Sequence, residues 1–259
     1  MTAHFRVDVA DGVATITIDR PNVRNAITLG MWEAIPDLIE RVSHDQSVKA
    51  VVFRGAGERA FASGADISEF ERVRMSAAAA EIYGKVVDAA ITAVQACPKP
   101  TVAMIYGYCV GGGLGLTLAM DLRFAADTAR FAIPAARLGV VYGLPATRAL
   151  VHLVGPARAK DILFSGRAFD AREAAEMGFV NRVVPAGSLA AHTYNYLRRV
   201  AANAPLSLRG AKLSIQGIVT GELEIEGIRR LMGDAFDSHD YREGVRAFLE
   251  KRPPRFEGR

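Results

Sequence analysis

Long apolar runs are missing from this chain: nothing in it approaches the roughly 18 consecutive apolar residues of a membrane-spanning helix, so no membrane partner is expected. Cysteine is nearly absent. Cys97 and Cys109 stand alone and show no C-x-x-C spacing, which excludes a disulfide framework and suits a reducing compartment. No charged stretch followed by an apolar core resembling a secretory leader is present, and a cytoplasmic location is expected. His4, His44, His152, His192 and His239 form no H-E-x-x-H, no i,i+4 pair and no arrangement with cysteine, so no metal is expected. A G-x-S-x-G nucleophile elbow is lacking too. Charge of one sign is scarce: 32 Lys and Arg against 28 Asp and Glu leave a net charge of +4. The basic residues are scattered without interleaved aromatics, which argues against a nucleic-acid partner and is compatible with a phosphorylated small ligand.

What is present is a chain of 259 residues, half of them hydrophobic, ample for one large domain or two modest ones. Phe5 to Val9 and Val13 to Ile18 alternate around Asp11-Gly12, the pattern of a hairpin. Thr28 is placed to cap a helix with Met31, Ile35, Leu38 and Ile39 on its apolar face, and Trp32 reads as core. Lys49 to Phe53 predicts a strand and Gly55 to Gly64 a loop. Asp66 and Glu69 have the spacing of a capping pair, with Ser68 and Glu71 as a shifted alternative. An alanine-rich helix then runs from Ala77 to about Ala96, where Cys97-Pro98-Lys99-Pro100 stops it. Thr101 to Ile105, Leu122 to Ala125 and Arg130 to Ile133 read as short strands. Helices are predicted over Pro145 to Val154, Ala157 to Ser165 and Ala171 to Met177, and almost unbroken helix from about Ser188 onward. Phe236, Tyr241, Val245, Phe248 and Leu249 are spaced for an apolar stripe, either a contact surface or internal core.

Two glycine-flanked stretches organise the rest. Ile105-Tyr106-Gly107-Tyr108-Cys109-Val110-Gly111-Gly112-Gly113-Leu114-Gly115-Leu116 reads as strand, bare backbone and helix, a junction that leaves N–H groups unpaired and open to a ligand oxygen. A tight turn would select the same glycines. Some forty residues earlier stands Phe61-Ala62-Ser63-Gly64-Ala65-Asp66-Ile67. Together the two resemble the paired signatures of the crotonase (enoyl-CoA hydratase/isomerase) superfamily. The likeness extends to Arg20-Pro21 through Asn25-Ala26, Leu138-Gly139, and Glu243-Gly244 through Arg252.

That resemblance implies an α/β fold: a ββα spiral core over 1–195 and a C-terminal helical oligomerisation region over 196–259. It also implies a homotrimer or a hexamer built as a dimer of trimers. Its substrate would be an acyl-CoA thioester, coenzyme A being part of the substrate and no separate cofactor being expected. The amides of Ala65 and Gly112 would hold the thioester oxygen, with Gly111 beside them. Ala62, Ser63, Gly64, Asp66 and Ile67 would border the coenzyme, Arg24 would add a charge contact, and Lys251 would reach a CoA phosphate, in relatives often that of a neighbouring subunit. Lys251 and Asp66 also have plain alternatives, a solvated helix lysine and a helix cap.

The departures bear on the chemistry. Family hydratases carry a glutamate three positions after the oxyanion glycine and another after a proline; this chain has Gly115 and Ala135. Hydration needs a base for water and an acid for carbon, each worth typically 10²- to 10⁴-fold, so decarboxylase- or isomerase-type chemistry is expected instead. A glycine at 115 costs about 1 kcal/mol inside a helix, as though space for a bulkier acyl group were being kept. The stretch Pro134 to Tyr142 resembles the corresponding segment of methylmalonyl-CoA decarboxylase, which makes Tyr142 a candidate acid, with packing as the alternative. That enzyme's oxyanion loop commonly has histidine where this chain has Ala65. The remaining alternatives are a hydratase using Asp66, Glu69 or Glu71, and a non-catalytic acyl-CoA binder.

Overall fold

The computed structural model describes residues 4–259. Strands β1 (Phe5–Ala10) and β2 (Val13–Ile18) form the expected hairpin, with both Asp11 and Gly12 at positive φ, the turn that matches strand twist. Helix α1 (Leu29–His44) follows, and its Thr28 hydroxyl accepts a hydrogen bond from Met31 N–H at 3.2 Å. Strand β3 (Ala50–Gly55) leads into β4 (Ala60–Ala62), a strand inside the stretch that the sequence reads as loop. A short helix α2 (Phe70–Val73) precedes α3 (Ala77–Ala96), capped by Ser76.

The same alternation then recurs. Strands β5 (Thr101–Ile105) and β6 (Tyr108–Val110) precede α4 (Gly112–Leu118), and β7 (Leu122–Ala126) and β8 (Arg130–Ala132) precede α5 (Leu144–Ser165). The first strand of each pair joins one sheet and the second strand joins another. The larger sheet has the order β1-β2-β3-β5-β7-β10 and the smaller β4-β6-β8-β9, where β9 is Ala168–Asp170 and β10 is Arg182–Val184. Within each sheet the strands from successive turns are parallel, so the chain winds as a spiral of ββα units. Four strands of three residues each, β4, β6, β9 and β10, were not legible in advance, because so few residues show no alternation. Gly155, at φ 79, kinks α5 where the sequence places a helix break before Pro156.

Alternation along β3 divides the core. Val51 and Phe53 join the main cluster with α1 and α3, whereas Ala50 and Val52 face Leu189 and Leu197 of α7 (Ala186–Ala201) across the sheet. Helix α6 (Ala171–Glu176) lies between β9 and β10. Arg123, 1% exposed, donates to the carbonyls of Thr117 at 3.1 Å and Met120 at 2.9 Å and to Phe179 O at 2.7 Å. It thereby ties the C-terminal end of α4 to Phe179, just before β10.

Helix α7 carries the chain through residues 195 and 196 without a break, and α8 (Pro205–Thr220), α9 (Ile225–Asp237) and α10 (His239–Leu249) complete it. The α9–α10 stripe is not internal core: Phe236 is 58% exposed, Phe248 83% and Leu249 74%. With Tyr241, Val245 and Phe256 these side chains line a groove of about 490 Å³. No described helix is long and apolar enough to cross a membrane.

Candidate active site

Strand β6 ends at Val110 and α4 starts at Gly112, so Gly111 turns the chain alone. Its φ of 52° and ψ of −117° are accessible to glycine at little cost and to other residues only with strain. Gly113 is required for a different reason. A Cβ there would sit 2.6 Å from the Ala62 side chain and carbonyl, so β4 presses directly on the first turn of α4.

That contact brings the two glycine-flanked stretches together. Ile27 N–H donates to Gly64 O at 2.8 Å and Asp66 N–H donates to Ile27 O at 2.9 Å, which leaves the Ala65 N–H between them unused. Gly112 is the first residue of its helix and has no acceptor behind it. Neither amide donates a hydrogen bond within the described residues, and a Cβ on Gly112 would lie 3.6 Å from Ala65 N. The two donors are therefore neighbours and unspent. Trp32 closes the floor, its Cζ2 3.1 Å from the same Cβ position, and its buried indole N–H closes no hydrogen bond. Tyr83 lies in this floor as well. Burial pushes its phenol upward, with Arg74 opposing, and the Arg74 guanidinium sits 4.7 Å from its ring centroid.

The other candidates fall into separate groups. Ser63 N–H donates to Arg24 O at 3.0 Å, so Arg24, Ala62, Ser63 and Gly64 form one edge of the site, with Ile67 65% exposed beyond it. Lys251 is exposed at the end of α10, and no hydrogen bond or ion pair among the described residues joins it to that edge. Asp66 and Glu69 do not form a reciprocal capping pair. Asp66 caps Ser68 and pairs with Arg20 Nη1 at 2.8 Å, whereas Glu69 accepts from Leu29 N–H at 2.8 Å and pairs with Arg72 at 2.9 Å. The Ser68 hydroxyl holds the Asp66 carboxyl below its usual range; burial opposes it and Arg20 adds to it. Glu71 is exposed. Among the described residues no group of three metal-ligating side chains is gathered.

The space over Gly115 is taken. A Cβ there would meet the Tyr142 hydroxyl at 2.8 Å, so it is this phenol, and not a larger acyl group, that the glycine accommodates. Tyr142 donates to Gly111 O at 3.1 Å, the carbonyl of the very peptide unit whose N–H belongs to Gly112, and Gly115 N–H donates to the same oxygen at 2.9 Å. Two donors behind the carbonyl fix the plane of that peptide and polarise it, which strengthens the N–H on its far side. Burial, with a smaller push from Cys109, raises the phenol well above its usual range and keeps it neutral. Ala135 and Tyr142 pack against the same core cluster. Tyr106, unexplained by the sequence, belongs to the opposite face: it is 5% exposed in the cluster under α7, and its hydroxyl accepts from Ala190 N–H at 3.1 Å.

Asp88 escapes a motif-based reading altogether. It lies on α3, half-buried, and its Oδ1 is 3.5 Å from where a Cβ on Gly143 would be, beside Tyr142. Burial pushes its carboxyl upward. The only sequence signal is a single charge inside Val86-Val87-Asp88-Ala89-Ala90-Ile91.

A model of the enoyl-CoA hydratase/isomerase family matches residues 8–259. The short-chain-enoyl-CoA hydratase of Clostridium acetobutylicum is 31% identical, over 93% of this chain and 92% of that protein. The crotonyl-CoA hydratase of Syntrophomonas wolfei is 32% identical, over 94% of each. Among solved structures, an enoyl-CoA hydratase/carnithine racemase from Magnetospirillum magneticum superposes with a TM-score of 0.95 at 37% identity, covering 100% of this chain and 97% of that one. The enoyl-CoA hydratase of Bacillus anthracis superposes at 0.89 with 30% identity, over 99% and 100% of the two chains.

Proposed function

From the premise that the chain belongs to the enoyl-CoA hydratase/isomerase family, we propose that it binds an acyl-CoA thioester and stabilises the thioester enolate on the Ala65 and Gly112 amides. The observation that carries this reading is that the two N–H groups are adjacent and unspent. Negative charge grows on the thioester oxygen as the enolate forms, and a donor already aimed there contributes roughly 2.7 to 4 kcal/mol to the transition state. Coenzyme A enters as part of the substrate, bordered by Arg24 and by Ala62 to Ile67. Lys251 contacts a CoA phosphate of a neighbouring subunit, and α9 and α10 carry the contacts of a trimer or of a hexamer of paired trimers. The exposed Phe236, Phe248 and Leu249 support that last reading.

Hydration is not the reaction favoured. Gly115 and Ala135 supply no carboxylate, the space over Gly115 is filled by the Tyr142 hydroxyl, and Asp66 and Glu69 are held by Arg20, Leu29 and Arg72. What remains is chemistry that makes and quenches an enolate without adding water: a double-bond shift or loss of CO₂. A panel of enoyl-, β-keto- and malonyl-type CoA esters, read by chromatography and mass spectrometry, tests this. Unchanged mass with a new retention time, or loss of CO₂, is expected; gain of one water at hydratase rates would overturn it.

A further inference from the structure

An enolate made by proton abstraction needs a base, and the two positions where the hydratase glutamates would stand are empty of carboxylates. Of the carboxylates on the elements packed around the Ala65–Gly112 pair, Glu33, Asp37 and Glu40 of α1, the helix that supplies Trp32, are exposed. Asp66 and Glu69 are held as described, Glu81 pairs with Lys85 at 2.8 Å, Asp161 pairs with Arg167 at 2.7 Å, and Glu71 is exposed. Asp88 alone is half-buried and without a hydrogen bond or ion pair among the described residues. Helix α3 packs against both α4 and α5. It sets the Asp88 Oδ1 against Gly143, the residue following the tyrosine that anchors the oxyanion peptide, while the preceding Val87 packs in the cluster that also holds Ala135 and Tyr142.

We propose that Asp88 is the proton-carrying carboxylate of this site and that the reaction it serves is a double-bond shift in an enoyl-CoA. This assignment rests on the oxyanion reading of Ala65 and Gly112. The ionised carboxylate takes a proton from the methylene between the acyl chain's double bond and the thioester. The C–H electron pair enters the conjugated dienolate, whose charge is held by the two amides. The neutral Asp88 carboxyl then returns a proton to the far end of the conjugated system, so the double bond moves by one position and no atom is gained or lost. Burial raises the carboxyl and makes it a stronger base than a solvated aspartate, the direction this role requires. An amide at this position would carry no proton to and fro, yet would fill the same space.

The test uses the full chain and 3-hexenoyl-CoA in D₂O. The wild type is expected to convert it to the 2-enoyl ester and to introduce deuterium. Asp88→Asn is expected to slow conversion and exchange at least about a hundredfold. Its affinity for the ester, by calorimetry, should be unchanged, and its melting temperature should not fall, since no bond is lost. Asp88→Glu should recover part of the rate. Conversion by Asp88→Asn at the wild-type rate overturns the assignment. A wild type that binds the ester and lowers its carbonyl stretching frequency, but neither shifts the double bond nor exchanges protons, overturns the role of Asp88 and leaves the oxyanion reading standing. A wild type that binds no acyl-CoA ester removes both.

Discussion

Gly115 and Tyr142 are predicted to be coupled, and the size of the coupling follows from their geometry. In Gly115→Ala the new Cβ would stand 2.8 Å from the Tyr142 hydroxyl, closer than real Cβ contacts, so the phenol must swing away from Gly111 O, to which it now donates at 3.1 Å. Losing that hydrogen bond costs about 0.5 to 1.5 kcal/mol. Replacing glycine by alanine within a helix returns about 1 kcal/mol, so the single variant should be nearly neutral. Tyr142→Phe alone should cost about 1 kcal/mol and no more, because Gly111 O still accepts from Gly115 N–H at 2.9 Å and is not orphaned. In the double variant the hydroxyl is gone and the nearest ring atom, Cζ, lies at 3.7 Å, an ordinary contact. The helical gain is then realised without a clash, and the double variant should be more stable than the sum of the singles by about 1 kcal/mol. Equilibrium urea unfolding of the four proteins measures this directly. Additivity within about 0.3 kcal/mol would show that the phenol does not occupy the space above residue 115, and would refute the reason given for the missing glutamate.

Further expectations follow from the same geometry. Crotonyl-CoA hydration should fall well short of an efficient enzyme, with kcat/KM below roughly 10⁴ M⁻¹s⁻¹; initial rates at saturating and limiting ester settle it. Gly115→Glu with Ala135→Glu should not confer hydration while Tyr142 is present, and should do so measurably only with Tyr142→Phe, a difference visible as product mass. Asn25→Ala should be strongly destabilising, by on the order of 2 to 4 kcal/mol, because Asn25 is 1% exposed and its amide serves Ala60 O at 2.8 Å, Ala56 O at 3.1 Å and Arg20 N–H at 3.1 Å; thermal unfolding reports it. Asp66 has its folded-state carboxyl lowered, so its contribution is present above the unfolded value near 3.9 and is lost as pH falls through the lower folded value. Accordingly Asp66→Asn should be less stable than wild type at neutral pH and the gap should close in acid as pH falls through the lowered folded value; a pH-independent gap contradicts the pairing with Ser68 and Arg20.

The fold was legible where periodicity or turn chemistry was strong. The hairpin around Asp11-Gly12, the Thr28 cap and the limits of α3 could be read from the residues themselves. Of the three-residue strands in the smaller sheet, β8 could be read within Arg130 to Ile133, but β4, β6 and β9 could not, because β4 and β6 owe their pairing to the spiral and not to any local pattern. At the site, the glycines announced that backbone would be exposed, but only the packing of Gly113 on Ala62 sets the Ala65 and Gly112 amides side by side. Gly115 suggested a vacancy, and the side chain that fills it arrives from Tyr142, 27 residues onward in the sequence numbering. Glu69 followed the spacing of a cap and went instead to Leu29, since α1 presents an open N–H within its reach. Asp88 offered no motif at all, because a carboxylate becomes conspicuous only when its surroundings leave it unpaired.

The central claim is that two main-chain amides grip one thioester oxygen. Infrared difference spectra of a carbonyl-labelled acyl-CoA, free and bound, test it most directly, with Gly112→Pro, checked for folding by circular dichroism, as the variant lacking one donor. A carbonyl band moved to lower frequency by the wild type, and moved less by Gly112→Pro, is the predicted result. A bound ester whose carbonyl band stays at its free position would contradict the account.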